Sequence, residues 1–357
     1  MDSTNTFKFT ARVRPDKEKL IEDLKNLDQS EQDFLKEHIE KNIQHMVLTG
    51  NSYSKNFCEQ LGEYFKKSQN LIKIDIHDIF VTRLKTEIPE AISFLGNSLI
   101  GKNITELDIS DNAVNPFGAK ALVPFLEQAT NLKVFLINNG GLGIDGVITI
   151  SQALSKGTPN LEKLSLTRNR AENEGAIALS KALPNLKKLK ELIVFQDVIK
   201  KDGMINLLRS LAENCPELEL LDVRDNFISE EAVIELVNLL KKTKNLKALN
   251  ISDCNIQEKE NTAIVEAIAI SENKLVKLGY MYNELNDVQA KKLVDALVLK
   301  GTQLQQLDIK GNDLSELTQK YFKEKLKDNL SSLSKFESDD EDDEDQQLIK
   351  DFAQLKI

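Results

Sequence analysis

The sequence predicts an α/β solenoid: a horseshoe with parallel strands along its concave face and helices along its convex face. Three observations predict it. An apolar phrase, L-x-x-L-x-L-x-x-N-x-L, occurs ten times, its first apolar residue falling at Ile43, Leu71, Ile104, Leu132, Leu161, Leu189, Leu218, Leu246, Leu275 and Leu304. The intervals between copies are 28, 33, 28, 29, 28, 29, 28, 29 and 29 residues, a fixed period of the kind that marks stacked units. Within each copy, strand-like alternation gives way to helical spacing, so every unit supplies one strand and one helix.

The copy from Ile104 to Val114 shows how each element arises. Ile104, Leu107 and Ile109 alternate with Asp108, Ser110 and Asp111, which predicts a short strand with one buried and one exposed face. Asn112 falls where the chain leaves the strand, and its amide suits the free backbone groups of a turn. Ala119, Ala121, Leu122, Phe125 and Leu126 then recur at helical spacing. Gly118, Gly146, Gly175 and Gly203 recur at the helix starts, where a missing side chain lets the next unit approach. Helices are wider than strands, so the stack curves. Phrase and period together are those of a leucine-rich repeat array of the ribonuclease-inhibitor-like kind.

The Asn position is filled by Asn51, Asn112, Asn169, Asn226, Asn283 and Asn312, and becomes Ile79, Gly140, Asp197 or Cys254 elsewhere. Ile79 and Gly140 bring no side-chain hydrogen bond, so those two copies are expected to turn differently and to form functional ridges. The long interval of 33 belongs to the copy that starts at Leu71. Residues 1–42 read as an N-terminal capping region, 43–335 as the array with a C-terminal cap, and 336–357 as an acidic tail with a short amphipathic end.

Charge is uneven. The 357 residues carry a net charge of −10, of which residues 336–357 supply −7 through nine acids and two lysines. Asp339 to Asp345 are seven consecutive acids, which repel too strongly to pack. The tail is read either as a solubilising segment or as a docking segment for basic proteins. Cys58, Cys215 and Cys254 form no CxxC pair and read as reduced thiols. The start shows no signal-peptide pattern and no apolar run approaches a membrane span; with the reduced thiols this suits a cytosolic or nuclear protein, and a cytoplasmic location is expected.

The outward strand positions present Asp75, Asp78, Asp108, Asp111, Asp222, Asp225, Asp253 and Asp308 against Arg168, Arg224 and Lys310. Such a wall disfavours nucleic acid, whose phosphates demand the opposite sign. It favours a basic protein partner steered by charge, with Phe195, Met281 and Tyr282 as exposed anchors. Solvated charge without a partner is the competing reading.

Self-contained chemistry is not encoded. GNSLIGKN (Gly96–Asn103) approaches a phosphate-binding loop, but Asn103 replaces the magnesium-binding hydroxyl and a strand follows where a helix is needed. His38, His45 and His77 are too scattered for a metal cluster or a catalytic triad, and no cofactor is expected. His77 reads as an interface residue. The sequons at Asn103 and Asn329 carry no weight without a secretory signal.

The irregular copy, DIHDIFVTRLKTEIPEAI (Asp75–Ile92), closely resembles a segment of the Ran GTPase-activating protein family, whose yeast-type members carry D-I-F-T-G-R-x-K-x-E-I-P-E-A. LINNGGLG (Leu136–Gly143) is similar to the family's L-H-N-N-G-L-G, and RNRAEN (Arg168–Asn173) to its R-N-R-L-E-N. Similarity runs from the first repeat to the acidic tail. The chain departs in having Val81-Thr82 for Thr-Gly and Gly140 for the second turn Asn.

The resemblance implies a monomeric GTPase activator that binds Ran-GTP, with GTP and Mg held by the partner, and that serves nucleocytoplasmic transport. It also implies ternary complexes with Ran-binding proteins, and neither nucleic acid nor membrane as a ligand. It further implies activation without an arginine finger, by ordering the GTPase's own glutamine and water. Aligned without a gap, the family's orienting Asn matches Asn139, its important Arg matches Arg83 and its nearby Lys matches Lys85. The partner surface is expected at Asp75, His77, Asp78, Asp108, Asp111, Asn138, Arg168, Arg170, Asp222, Asp225 and Asp253.

Beside this, Asn139 is an amide at the lip of a strand in a copy that lacks its structural Asn, which suits gripping a glutamine. An ordinary turn Asn is its plainer reading. Arg83 is read as seating the GTPase, as stabilising phosphate charge, or as a structural ion pair with Glu87 or Asp78. A non-catalytic binding scaffold or inhibitor is the alternative function. An innate-immune sensor domain is disfavoured because no nucleotide-binding module accompanies the repeats.

Overall fold

A computed structural model describes residues 6–10, 20–39, 43–301, 304–312, 314–326 and 330–333. The acidic tail, residues 336–357, lies outside the described residues, as does Asn329. The strands are β1 (Thr6–Thr10), β2 (Leu20–Ile21), β3 (His45–Thr49), β4 (Ser52–Tyr53), β5 (Lys73–Asp75), β6 (Glu106–Asp108) and β7 (Val134–Leu136). They continue with β8 (Lys163–Ser165), β9 (Glu191–Ile193), β10 (Leu220–Asp222), β11 (Ala248–Asn250), β12 (Lys277–Gly279), β13 (Leu304–Asp308) and β14 (Leu330–Leu333). The helices are α1 (Gln29–His38), α2 (Lys55–Lys67), α3 (Ile88–Leu99), α4 (Asn115–Leu126), α5 (Gly143–Gly157) and α6 (Glu172–Ala182). After them come α7 (Lys201–Asn214), α8 (Glu230–Lys242), α9 (Glu258–Ile270), α10 (Asp287–Leu299) and α11 (Glu316–Leu326).

Twelve strands form one parallel sheet in the order β1-β3-β5-β6-β7-β8-β9-β10-β11-β12-β13-β14. The register repeats unit by unit: Ile74 pairs with Leu107, Leu107 with Phe135, Phe135 with Leu164 and Leu164 with Leu192, all buried. The middle strand residue thus becomes a continuous apolar file, and each helix packs on the next to close the core. At Gly118, an added Cβ would come within 3.0 Å of Ile92 in the preceding helix, which is the close approach the glycine permits. Beyond the ten copies, the sheet gains β1 at one end and β14 at the other.

Interior asparagines tie the copies together. Asn112 Nδ2 donates to the carbonyls of Ile109 and Ser110 in its own copy and of Ile76 in the copy before. Its Oδ1 accepts from the N–H groups of Ile79 and Phe80. Asn169 and Asn226 serve the preceding copies in the same way. This corrects the expectation for Ile79 and Gly140. Their turns are held by the Asn of the following copy, so losing their own Asn alters the turn one copy earlier. Cys254 substitutes in the ladder through Sγ, which donates to the carbonyls of Val223 and Ser252 at 3.4 Å.

Asp197 is the imperfect rung. Its Oδ1 accepts from the Asn169 N–H at 2.7 Å, but Oδ2 is buried without a partner, and burial pushes the carboxyl up to about 7. The folded chain therefore binds a proton between roughly pH 4 and 7 that the unfolded chain releases, so this group's contribution falls as pH rises through that window. Asp197→Asn is expected to stabilise the protein by roughly 2–4 kcal/mol at pH 8, with the gain shrinking toward pH 4.5. Urea unfolding at the two pH values checks this; an equal gain at both would contradict it.

Candidate functional site

Each turn leaves its strand through one left-handed residue just before the Asn position. Asp78, Asp111, Asn139, Arg168, Gln196, Asp225, Asp253 and Tyr282 all have φ between 48° and 59°. Their N–H groups are pinned to the next copy: Asp111 to the Asn138 carbonyl at 2.8 Å, Asn139 to Thr167 at 2.8 Å and Arg168 to Phe195 at 3.1 Å. Left-handed backbone favours short polar side chains or glycine, and pinning it keeps each side chain at a fixed height along the rim. From Asp111 to Tyr282 all seven are exposed. The result is a rigid ridge at the C-terminal ends of the strands, reading acid, acid, amide, arginine, amide, acid, acid, tyrosine.

Asn139 occupies the middle of the N-terminal half of this ridge. Its Nδ2 donates to Asp111 Oδ1 at 3.1 Å, which fixes the amide rotamer. Gly140 behind it has its N–H held by Asn169 Oδ1 at 2.9 Å, and a Cβ there would lie 3.2 Å from that same oxygen. Glycine gives the Asn169 amide room here, although Ile79 accepts the same closure by Asn112 with a side chain in place. Asn138 faces the other way: its Oδ1 accepts from the Ser165 and Thr167 hydroxyls and the Thr167 N–H, so it braces neighbouring copies.

Farther toward the N-terminus, Asp75, His77 and Asp108 converge. His77 Nδ1 and Asp75 Oδ1 are 2.6 Å apart, and that bond raises the pKa of His77. Burial opposes ionisation of Asp75, but the bond and charge of His77 outweigh it and hold its carboxyl below the usual range. Asp108 moves the other way, raised by burial despite accepting from the Ser110 N–H. Their ligand atoms lie within 4.8 Å of one another, near enough to share a cation. In this arrangement, however, His77 and Asp75 satisfy each other.

The concave wall is less acidic than expected. Asp222 and Asp308 are buried, and Asp222 pairs with Arg224 at 3.2 Å while burial pushes its carboxyl up to about 6. Asp222 is therefore structural and not a partner contact. Phe195 and Met281 are buried too, so of the three expected anchors Tyr282 alone is exposed. Side chains of the neighbouring copies cover these positions, whereas Asp108, at the equivalent place on β6, is only half-buried. Phe195 instead carries the guanidinium of Arg224 at 4.3 Å and that of Arg168 at 5.9 Å from its ring centre. Arg168 Nε donates to Gln196 at 2.7 Å, and Arg170 is exposed one turn away.

The extra residues of the irregular copy lie between β5 and α3, in residues 76–87. Arg83 sits at their centre, its side chain 10% exposed. Nη1 donates to Glu22 Oε1 and Nη2 to the Ser52 carbonyl, both at 2.7 Å. Its ion-pair partner is thus Glu22 and neither Glu87 nor Asp78; Glu87 accepts from the Lys55 N–H. Leu84, Lys85 and Thr86 project into solvent. Sequence reading missed Glu22, Ser52 and Gln196. Gln196 was detectable as the residue preceding an Asn position; Glu22, 61 residues from Arg83, carries no local signal.

Residues 102–123, 158–180 and 243–259 match the family model described as Leucine Rich repeat. The chain is 25% identical over 287 residues to Ran GTPase-activating protein 1 of Saccharomyces cerevisiae, covering 75% of this chain and 70% of that protein. It is 34% identical over 170 residues to Ran GTPase-activating protein 1 of Xenopus laevis, covering 44% of this chain and 29% of that protein. It is 32% identical over 185 residues to the Ran GTPase-activating protein of Drosophila melanogaster, covering 48% and 31%. The chain thus spans less than a third of those two animal relatives. The leucine-rich repeat fold and the resemblance drawn from the irregular copy are both borne out.

Proposed function

We infer that this chain, a leucine-rich repeat protein of the Ran GTPase-activating kind, binds GTP-loaded Ran along its ridge and speeds hydrolysis by holding Ran's own catalytic glutamine and water in place. The observation that carries this is Asn139: an exposed amide on a pinned backbone, with one N–H engaged by Asp111 and the carbonyl oxygen and second N–H left for a partner's amide. A group held still before the reaction pays no reorganisation when charge develops, which is how positioned donors lower a barrier. Arg83 supports the same reading from the other side. Its Nη1 and Nη2 are engaged within the protein, while Nε is buried without a partner, so the side chain serves the seating of Ran and not the phosphate. Asp75, Asp78, Asp108 and Asp111 with His77 supply the charged approach, and Asp225 and Asp253 extend it along the ridge. Lys85 marks the other flank.

The partner therefore brings the nucleotide, its Mg and the reacting atoms, while the activator brings geometry and no cofactor of its own. Action as a monomer, in the cytoplasm and within ternary complexes with Ran-binding proteins belongs to the same proposal. No helix among the described residues is long and apolar enough to cross a membrane.

An inserted arginine is the competing mechanism, and Arg170, exposed two residues beyond the ridge arginine Arg168, is placed to attempt it. Fingers of that kind contribute about 10³–10⁵ in rate. Single-turnover phosphate release from Ran-GTP with Arg170→Ala is expected to stay within about tenfold of the parent, since no finger is used. A loss of about 10³ or more would transfer the role to Arg170 and displace the glutamine-ordering reading.

A further inference from the structure

Arg83 joins three parts of the chain that are far apart in sequence. The segment Leu20–Asn26 supplies Glu22, β4 supplies the Ser52 carbonyl, and the 76–87 loop supplies Arg83 itself. Glu22 is well placed to act as an anchor. Its own carbonyl accepts from Ser54 Oγ at 2.7 Å and Asn56 Nδ2 at 3.0 Å, which fixes it against the start of α2. Ser52 also reaches the loop directly, with Oγ donating to the Val81 carbonyl and lying 3.4 Å from Thr82 Oγ1. Thr82 adopts φ +64°, a costly conformation for a β-branched residue, so the loop needs these outside ties to keep its path. At the end of that path Leu84 is 71% exposed, and the Lys85 carbonyl accepts from Asn115 in the next copy at 3.4 Å.

Building on the Ran-activating reading, we propose that Glu22 is a positioning residue for GTPase activation: with Ser52 it clamps Arg83, and the clamp presents Leu84–Thr86 to the GTPase at a fixed height beside the ridge. The capping segment is then part of the working surface and not merely a lid on the core. Glu22 itself does not touch the partner. It acts through Arg83, which distinguishes it from the ridge acids.

The experiment is a double-mutant cycle on Glu22→Ala and Arg83→Gln in the full chain, read by Ran-GTP hydrolysis across a titration of activator. Glu22→Ala is expected to raise the half-saturating concentration about tenfold while the saturating rate stays within about twofold, and Glu22→Gln, which keeps the acceptor, to recover most of the loss. Two groups acting as one unit give non-additive effects, so Glu22→Ala added to Arg83→Gln should cost nothing further. Thermal melting separates loss of the clamp from loss of the fold. The proposal is overturned if Glu22→Ala titrates like the parent, or if the two losses add. Parent activity is the control: its absence would remove the Ran reading itself, whereas a normal parent with additive mutants removes only the clamp.

Discussion

Replacing Asn139 by alanine is expected to lower the saturating rate of stimulated GTP hydrolysis by about 10²–10³, the cost of one positioned donor in a water-poor site. Binding of Ran-GTP should change by less than about threefold, because Asn139 is exposed and neighbouring ridge residues carry the docking charge. The asymmetry follows from structure. Asn139 buries no apolar surface, and its one side-chain hydrogen bond, to Asp111, sits in solvent; alanine meets the left-handed φ of 48° there and should cost about 1–2 kcal/mol of stability, which leaves the chain folded. The turn itself is held by backbone bonds and by Asn169, which the substitution leaves alone. Single-turnover rates at saturating activator, beside a direct binding titration, check it. Equal rates for mutant and parent would remove Asn139 from the mechanism; loss of binding at an unchanged saturating rate would make it a docking residue.

Asn169→Ala should be the most destabilising single change near the site, by about 3–5 kcal/mol. The buried amide donates to the carbonyls of Ile137 and Leu166 at 2.7 Å and Thr167 at 3.2 Å, and accepts from the Gly140 and Leu142 N–H groups at 2.9 and 3.4 Å. Alanine strands four of these backbone groups away from water, the Thr167 carbonyl keeping the Asn139 N–H, and a buried group without a partner costs more than a made bond returns. Two of these groups belong to the turn that carries Asn139, so the saturating rate should fall even at temperatures where the chain stays folded. Urea unfolding and hydrogen exchange at Gly140 and Leu142 check it. Unchanged protection there, with a loss of only about 1 kcal/mol, would show that the turn holds itself.

Much of this was legible in the residues because a solenoid is nearly one-dimensional. The phrase around Ile104–Val114 determines its own strand, turn and helix, and the neighbouring copy repeats them, so periodicity alone placed the core file from Ile74 to Leu192. The long interval pointed to the 76–87 loop. The register hid which acids reach solvent: Asp108, Asp222 and Asp308 hold equivalent strand positions, yet Asp222 and Asp308 are buried by adjacent copies, while Asp111 and Asp225, one turn later, are exposed. Exposure on these short strands is decided by the side chains of the copies on either side, which a single repeat does not contain. The reach of each Asn into the preceding copy was hidden for the same reason. Longest-range of all is the Glu22–Arg83 pair, set by how the capping segment folds onto the second copy.

Single-turnover GTP hydrolysis by Ran at saturating activator, run beside a Ran variant whose catalytic glutamine is alanine, tests the central claim most directly. The account predicts acceleration of at least about 10²–10³ for Ran, the share assigned to Asn139, and none for the variant, although both bind. Acceleration of the glutamine-less GTPase, or a basal rate with unmodified Ran, would contradict it.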